Sequence, residues 1–124
     1  GDPIGQELVL SLDGHPVVVG EPDRILHHAA CVMASNHLVA LMSQVEAVAA
    51  SIGVPLEAYL QLARLALNNV AEVGPSAALT GPVSRGDWDT VERHLGALPR
   101  SEREAYVALA RRAAALAGRE FPDI

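Results

Sequence analysis

A chain of 124 residues, half of them hydrophobic and 19% charged, with a mean hydropathy of +0.22, can build the core of one ordinary domain without disulfides or structural metals. The formal charge is −6 and all nine basic residues are arginine, which leaves no cationic surplus for nucleic acid and no lysine for Schiff-base or general-acid chemistry. One cysteine, Cys31, excludes an internal disulfide, and without a leader of basic start and apolar centre the expected location is the cytoplasm.

Along the chain, the first twenty residues hold two short apolar runs, Leu8-Val9-Leu10 with Leu12, and Val17-Val18-Val19, separated by Asp13-Gly14. Two readings compete. Asp-Gly between apolar runs signals a hairpin, but Gly14 also fits the end of a helix that precedes a short strand. Pro22 then suits a first helical turn, and no breaker occurs before Gly53, so a helix of residues 22–52 is predicted. Its apolar residues (Ile25, Leu26, Val32, Met33, Val39 and Met42 among them) point almost all round, which predicts burial on more than one side. His27, His28, Ser35, Asn36, His37, Gln44 and Glu46 argue against a membrane span in the same stretch.

Pro55 starts a second helix with Leu56, Tyr59, Leu60, Leu62, Ala63, Leu67 and Val70, stopped at Gly74-Pro75, and the short connection predicts antiparallel packing on the first. A loop over residues 77–86 follows. Asp87 can cap a third helix bearing Trp88, Val91, Leu95 and Leu98, and Ser101 with Glu104 has the pattern of a capping box for a fourth helix. In that helix Tyr106, Leu109, Ala110, Ala113 and Leu116 are expected inward, with an end near Gly118.

His27 and Cys31 have the i, i+4 spacing of two zinc ligands, but four are required and no second cysteine or HExxH pattern exists, so no metal site is expected. Cys31 reads as a small core residue. His28, Ser35 and Asn36 lie close to one face of the first helix, and buried polar groups need partners. Asn68 and Asn69 of an antiparallel second helix are candidates for that role. A hydrogen-bond network that fixes register and a substrate pocket are both consistent with the spacing. The loop Thr80-Gly81-Pro82-Val83-Ser84-Arg85-Gly86 offers hydroxyls and an arginine before a helix amino terminus, suited to a carboxylate or phosphate. Alternatively it is a capping turn in which Arg85 pairs with Asp87 or Asp89. No glycine-rich nucleotide turn, Walker loop or nucleophile elbow occurs, and spacing alone names no reaction.

The run His28-Ala29-Ala30-Cys31-Val32-Met33-Ala34-Ser35-Asn36-His37-Leu38-Val39-Ala40-Leu41, then Asn69, Ala78-Leu79-Thr80-Gly81-Pro82-Val83-Ser84-Arg85-Gly86-Asp87 and Thr90-Val91-Glu92-Arg93-His94-Leu95, resembles the Rossmann-like oxidoreductase family whose carboxy-terminal half is catalogued as domain of unknown function 2520. Its broader relatives look like pyrroline-5-carboxylate reductase, ketopantoate reductase and 6-phosphogluconate dehydrogenase. The resemblance covers about residues 15–117. It implies an all-α domain, similar to the carboxy-terminal domain of 6-phosphogluconate dehydrogenase, over residues 21–124, after a helix-strand tail of a nucleotide-binding domain in residues 1–20. It further implies a homodimer and a substrate-side role in an NAD(P)-dependent reductase of small keto or imino acids. The glycine-rich cofactor turn would lie upstream of Gly1, so the chain alone is expected to be inactive and to bind no cofactor. By resemblance Asn36 and Asn69 orient a carbonyl, His28 donates a proton, and Ser35, Thr80, Ser84 and Arg85 face an anionic substrate. The absence of lysine departs from ketopantoate reductases. The rival reading is a helical dimerisation or interaction module without catalysis.

Overall fold

The computed structural model describes the backbone of residues 7–12 and 15–124, and the side chains of residue 18 and of residues 20–124. Among the described residues two strands, β1 (Glu7–Leu12) and β2 (His15–Gly20), precede six helices: α1 (Arg24–Ala34), α2 (Asn36–Ala50), α3 (Glu57–Ala78), α4 (Pro82–Arg85), α5 (Trp88–Ala97) and α6 (Arg100–Leu116). The fold is all-α in class, as expected. The chain divides into two compact units, Gly1–Ser43 and Gln44–Ile124, and the expected boundary after residue 20 falls inside the first.

In the first unit β1 and β2 pair antiparallel from Glu7↔Gly20 to Leu12↔His15. This corrects the helix-strand reading of the opening residues. Six residues make a marginal helix, whereas a strand of that length satisfies its backbone through the ladder, and the register leaves a two-residue connection of hairpin length. Asp13 and Gly14 themselves lie outside the described residues. A 3-10 turn, Glu21–Asp23 with Pro22 in its first positions, leads into α1.

The predicted long helix is present as Glu21–Ala50, interrupted only at Ser35. Its backbone there (φ −117°, ψ −66°) departs from helical values, while the Ser35 amide donates to the Cys31 carbonyl and the Val39 amide to the Ser35 carbonyl, each within 3.1 Å. A serine hydroxyl bonded back to the i−4 carbonyl bends helices, and Ser35 Oγ donates to that same oxygen at 2.6 Å. Burial differs from the expectation. α1 has no buried residue and α2 has only Ala49, while Ile25 is 84% and Val39 70% exposed. By length and composition Glu21–Ala50 is also long and apolar enough to cross a membrane.

In the second unit the Val54 amide donates to the Ala49 carbonyl across Gly53, whose φ of 74° is the left-handed value that ends a helix. The first hydrogen-bonded turn of α3 starts from Pro55, as predicted, and Gly74 (φ 84°, ψ 164°) breaks it before Pro75. The expected inward set is only partly so. Leu56, Tyr59, Leu60 and Ala63 are half-buried, whereas Leu62, Leu67 and Val70 are exposed and α3 has no buried residue.

The packed core lies farther on. Val83 of α4, Val91 of α5 and Ala110 and Ala114 of α6 are buried together, with Trp88, Leu95, Tyr106, Ala113 and Phe121 around them. Val91 is fully enclosed, as its i, i+3, i+7 pattern with Trp88 and Leu95 predicts. Of two expectations for α6, the capping box fails and the inward set is met in part. The helix starts two residues earlier, with Pro99 at its cap and the Glu102 amide on the Pro99 carbonyl at 2.9 Å, so Ser101 already lies inside the helix and caps nothing. Its inward face runs through Tyr106, Ala110, Ala113 and Ala114, leaving Leu109 and Leu116 outside. Gln44 of α2 donates to the Glu102 carbonyl at 3.0 Å and ties α2 to the first turn of α6.

Candidate functional site

The predicted site residues fall into two groups, one in each unit. In the first unit His28, Ser35 and Asn36 are all exposed. Ser35 and Asn36 share a contact, Ser35 Oγ to Asn36 Oδ1 at 3.1 Å, at the interruption between α1 and α2. The same hydroxyl lies nearer the Cys31 carbonyl, so Ser35 spends its donor on the helix kink rather than presenting it outward. One turn earlier Cys31 Sγ lies 3.5 Å from His27 Nε2. Among the described residues no group of three metal-ligating side chains assembles.

In the second unit Asn69 is exposed on α3. Thr80, Ser84 and Arg85 belong to the segment between Leu79 and α5, which the sequence reading treats as loop. It contains a helical turn instead. α4 is bracketed by two glycines of positive φ, Gly81 (98°) and Gly86 (70°), and the Gly86 and Asp87 amides donate to the Val83 and Pro82 carbonyls at 3.1 and 2.8 Å. That double closure is how a short helix satisfies its last carbonyls, and glycine supplies the left-handed residue at no steric cost. Ser84 Oγ is bonded within the turn, to the Gly81 carbonyl at 2.8 Å, while Thr80 is exposed.

Asp87 caps α5 as predicted. Its carboxylate accepts from the Thr90 amide at 3.2 Å and the Thr90 hydroxyl at 2.7 Å. These bonds, the hydroxyl first, hold its pKa below the usual carboxylate value, with smaller help from Arg85 and Arg93. The α5 amino terminus therefore already carries its own anion. Arg85 Nη2 is 3.9 Å from Asp87 Oδ2 with the Arg85 side chain 63% exposed, a loose pairing that leaves most of the guanidinium open to a ligand. What remains for an external anion in this segment is Arg85 and the Thr80 hydroxyl.

Sequence reasoning missed the residues that support this turn. After α6, Gly118 (φ 70°) redirects the chain, and Arg119 Nε donates to the Ser84 carbonyl at 3.0 Å. Phe121 meets Trp88 edge to face at a centroid distance of 5.5 Å, and the Arg111 guanidinium lies 4.8 Å above the Phe121 ring. The signal available in the sequence is the lone phenylalanine just beyond a helix-ending glycine. His94 and Tyr106 form a second unforeseen pair, Nδ1 to OH 2.7 Å, with rings perpendicular.

Residues 1–113 match the model of a family described as Domain of unknown function (DUF2520), and the chain belongs to that family. No curated protein and no solved structure matches it.

Proposed function

We propose that this member of the DUF2520 family is the dimerisation and substrate-side part of an NAD(P)-dependent reductase that acts on a small keto or imino acid. The observation that carries the reading is the uncovered apolar surface of Glu21–Ala50, with Ile25, Leu26, Met33 and Val39 all more than half exposed. Monomers rarely tolerate a contiguous patch of more than a few hundred Å². A second copy related by a two-fold axis would cover this helix with its own equivalent, and Ala29, Ala30, Ala34 and Ala40 would permit close approach. The polar residues in the helix, His27, His28, Ser35, Asn36, His37, Gln44 and Glu46, favour a protein cover over lipid.

On this reading Arg85, largely exposed in the second unit, holds the substrate carboxylate, with the exposed Thr80 hydroxyl of the same segment as a further donor. The sequence has no glycine-rich turn to cradle a pyrophosphate, so these residues do not suit the cofactor's phosphates, and an upstream Rossmann domain would hold the nicotinamide. The protein would work in the cytoplasm.

A non-catalytic interaction module is the second reading, favoured by the local bonds that occupy Ser84, Asp87 and Ser35. The test joins the chain to its upstream region and follows nicotinamide oxidation with a panel of 2-keto acids and cyclic imines. Turnover of an anionic substrate, with no nicotinamide binding by the 124-residue chain in calorimetry, supports the reductase. A dimer inert toward the whole panel supports the module, and micromolar NADPH binding by the chain alone overturns the assignment of the cofactor to an upstream domain.

A further inference from the structure

The turn that carries Arg85 is four residues long, and a helix of that length is not stable by its own hydrogen bonds. Three contacts from beyond the end of α6 meet it or its neighbour. Arg119 Nε donates to the Ser84 carbonyl at 3.0 Å. The Arg119 guanidinium lies against the Gly86 backbone, with Nη1 2.7 Å from where a Cβ on residue 86 would stand, a position open only because that residue is glycine. Phe121 closes on Trp88, the first residue of α5, and is itself covered by Arg111. Arg119 and Phe121 lie outside the family-matched residues 1–113.

We propose that Arg119 and Phe121 form a strap that positions the residue 82–87 turn and so aims Arg85 at its anion. They are positioning residues, acting through the backbone of Ser84 and Gly86 and through Trp88. The inference rests on the reading of Arg85 as the substrate's carboxylate partner, but the strap itself is measurable without any substrate.

The amides of Gly86 and Asp87, bonded to Val83 and Pro82, report whether the turn is closed, and the chain's single tryptophan, Trp88, reports the Phe121 contact. Hydrogen exchange and Trp88 emission are recorded for the unmodified chain, Arg119→Met, Arg119→Lys and Phe121→Ala. Arg119→Met keeps the aliphatic stem and removes the donors, and exchange at Gly86 and Asp87 should rise about tenfold, the effect of one lost charge-assisted bond, with the α6 amides unchanged. Arg119→Lys lacks Nε and should restore little of the protection. Phe121→Ala should shift Trp88 emission to the red. Unchanged exchange at both amides, or a uniform rise through α5 and α6 in both Arg119 variants, overturns the strap. The anion reading is tested separately by Arg85→Ala in the full-length protein. Raised exchange in Arg119→Met beside a kinetically silent Arg85→Ala keeps the strap and overturns the anion reading, whereas the reverse result overturns the strap alone.

Discussion

Replacing Val91 by alanine tests whether the cluster of α4, α5 and α6 is the stabilising core. Val91 is fully enclosed, and the change deletes two methyl groups. Lost transfer free energy at about 0.8 kcal/mol per group gives about 1.6 kcal/mol. The space they leave, about 50 Å³ at about 24 cal/mol per Å³, adds about 1 kcal/mol if the site does not collapse. Collapse is limited on the side of Ala110 and Ala114, whose methyl groups have no torsion that could carry them into the space. The expected loss is therefore about 2.5 kcal/mol, a large share of the roughly 5–15 kcal/mol that holds a domain folded. Urea unfolding followed by Trp88 fluorescence reads this unit directly, since Trp88 packs against the cluster. With a slope of about 1–3 kcal/mol per molar urea, the midpoint should fall by about 0.8–2.5 M at unchanged slope. A loss below about 0.5 kcal/mol, the level of an ordinary surface substitution, would refute the enclosure of Val91 and the placement of the core.

On the proposed reductase reading, Arg85→Ala in the chain joined to its upstream region should raise KM for an anionic substrate by a factor corresponding to about 1.5–3 kcal/mol, with stability almost unchanged because the side chain is largely exposed; folding that collapses while surviving kinetics are normal would make Arg85 structural. Asp87→Asn should destabilise the chain in a pH-dependent way. The folded carboxyl titrates below its usual 3.8, so the cap's contribution is complete above that value and disappears as pH falls through the folded pKa; melting curves of the two proteins that stay parallel from pH 6 to about pH 2 would contradict this. Val39→Glu should convert the proposed dimer to monomer or aggregate, and sedimentation showing the unmodified chain and the full-length protein both monomeric at tens of micromolar would remove the dimer.

The sequence by itself determined what depends on local backbone chemistry. Gly53, Gly74 and Gly118 mark helix ends through positive φ, Asp87 caps α5, and the Trp88, Val91, Leu95 pattern names the inward face of that helix. The family was legible in the Ala-Ser-Asn and Leu-Thr-Gly-Pro motifs. Local signals misled where two structures satisfy the same pattern. The opening apolar runs fit helix-strand or hairpin until strand pairing decided, and Ser101 with Glu104 reads as a capping box until Pro99, two residues nearer the start, takes the cap. The 80–86 stretch, rich in glycine, proline and serine, reads as loop because the few local bonds of a one-turn helix leave no periodic pattern in the sequence. Arg119, 35 residues beyond Ser84, donates to its carbonyl, and no short window contains both ends of that bond. Exposure of the long helix was likewise beyond the sequence: periodicity shows which residues are apolar, but what covers them depends on every other element of the fold and on any partner subunit.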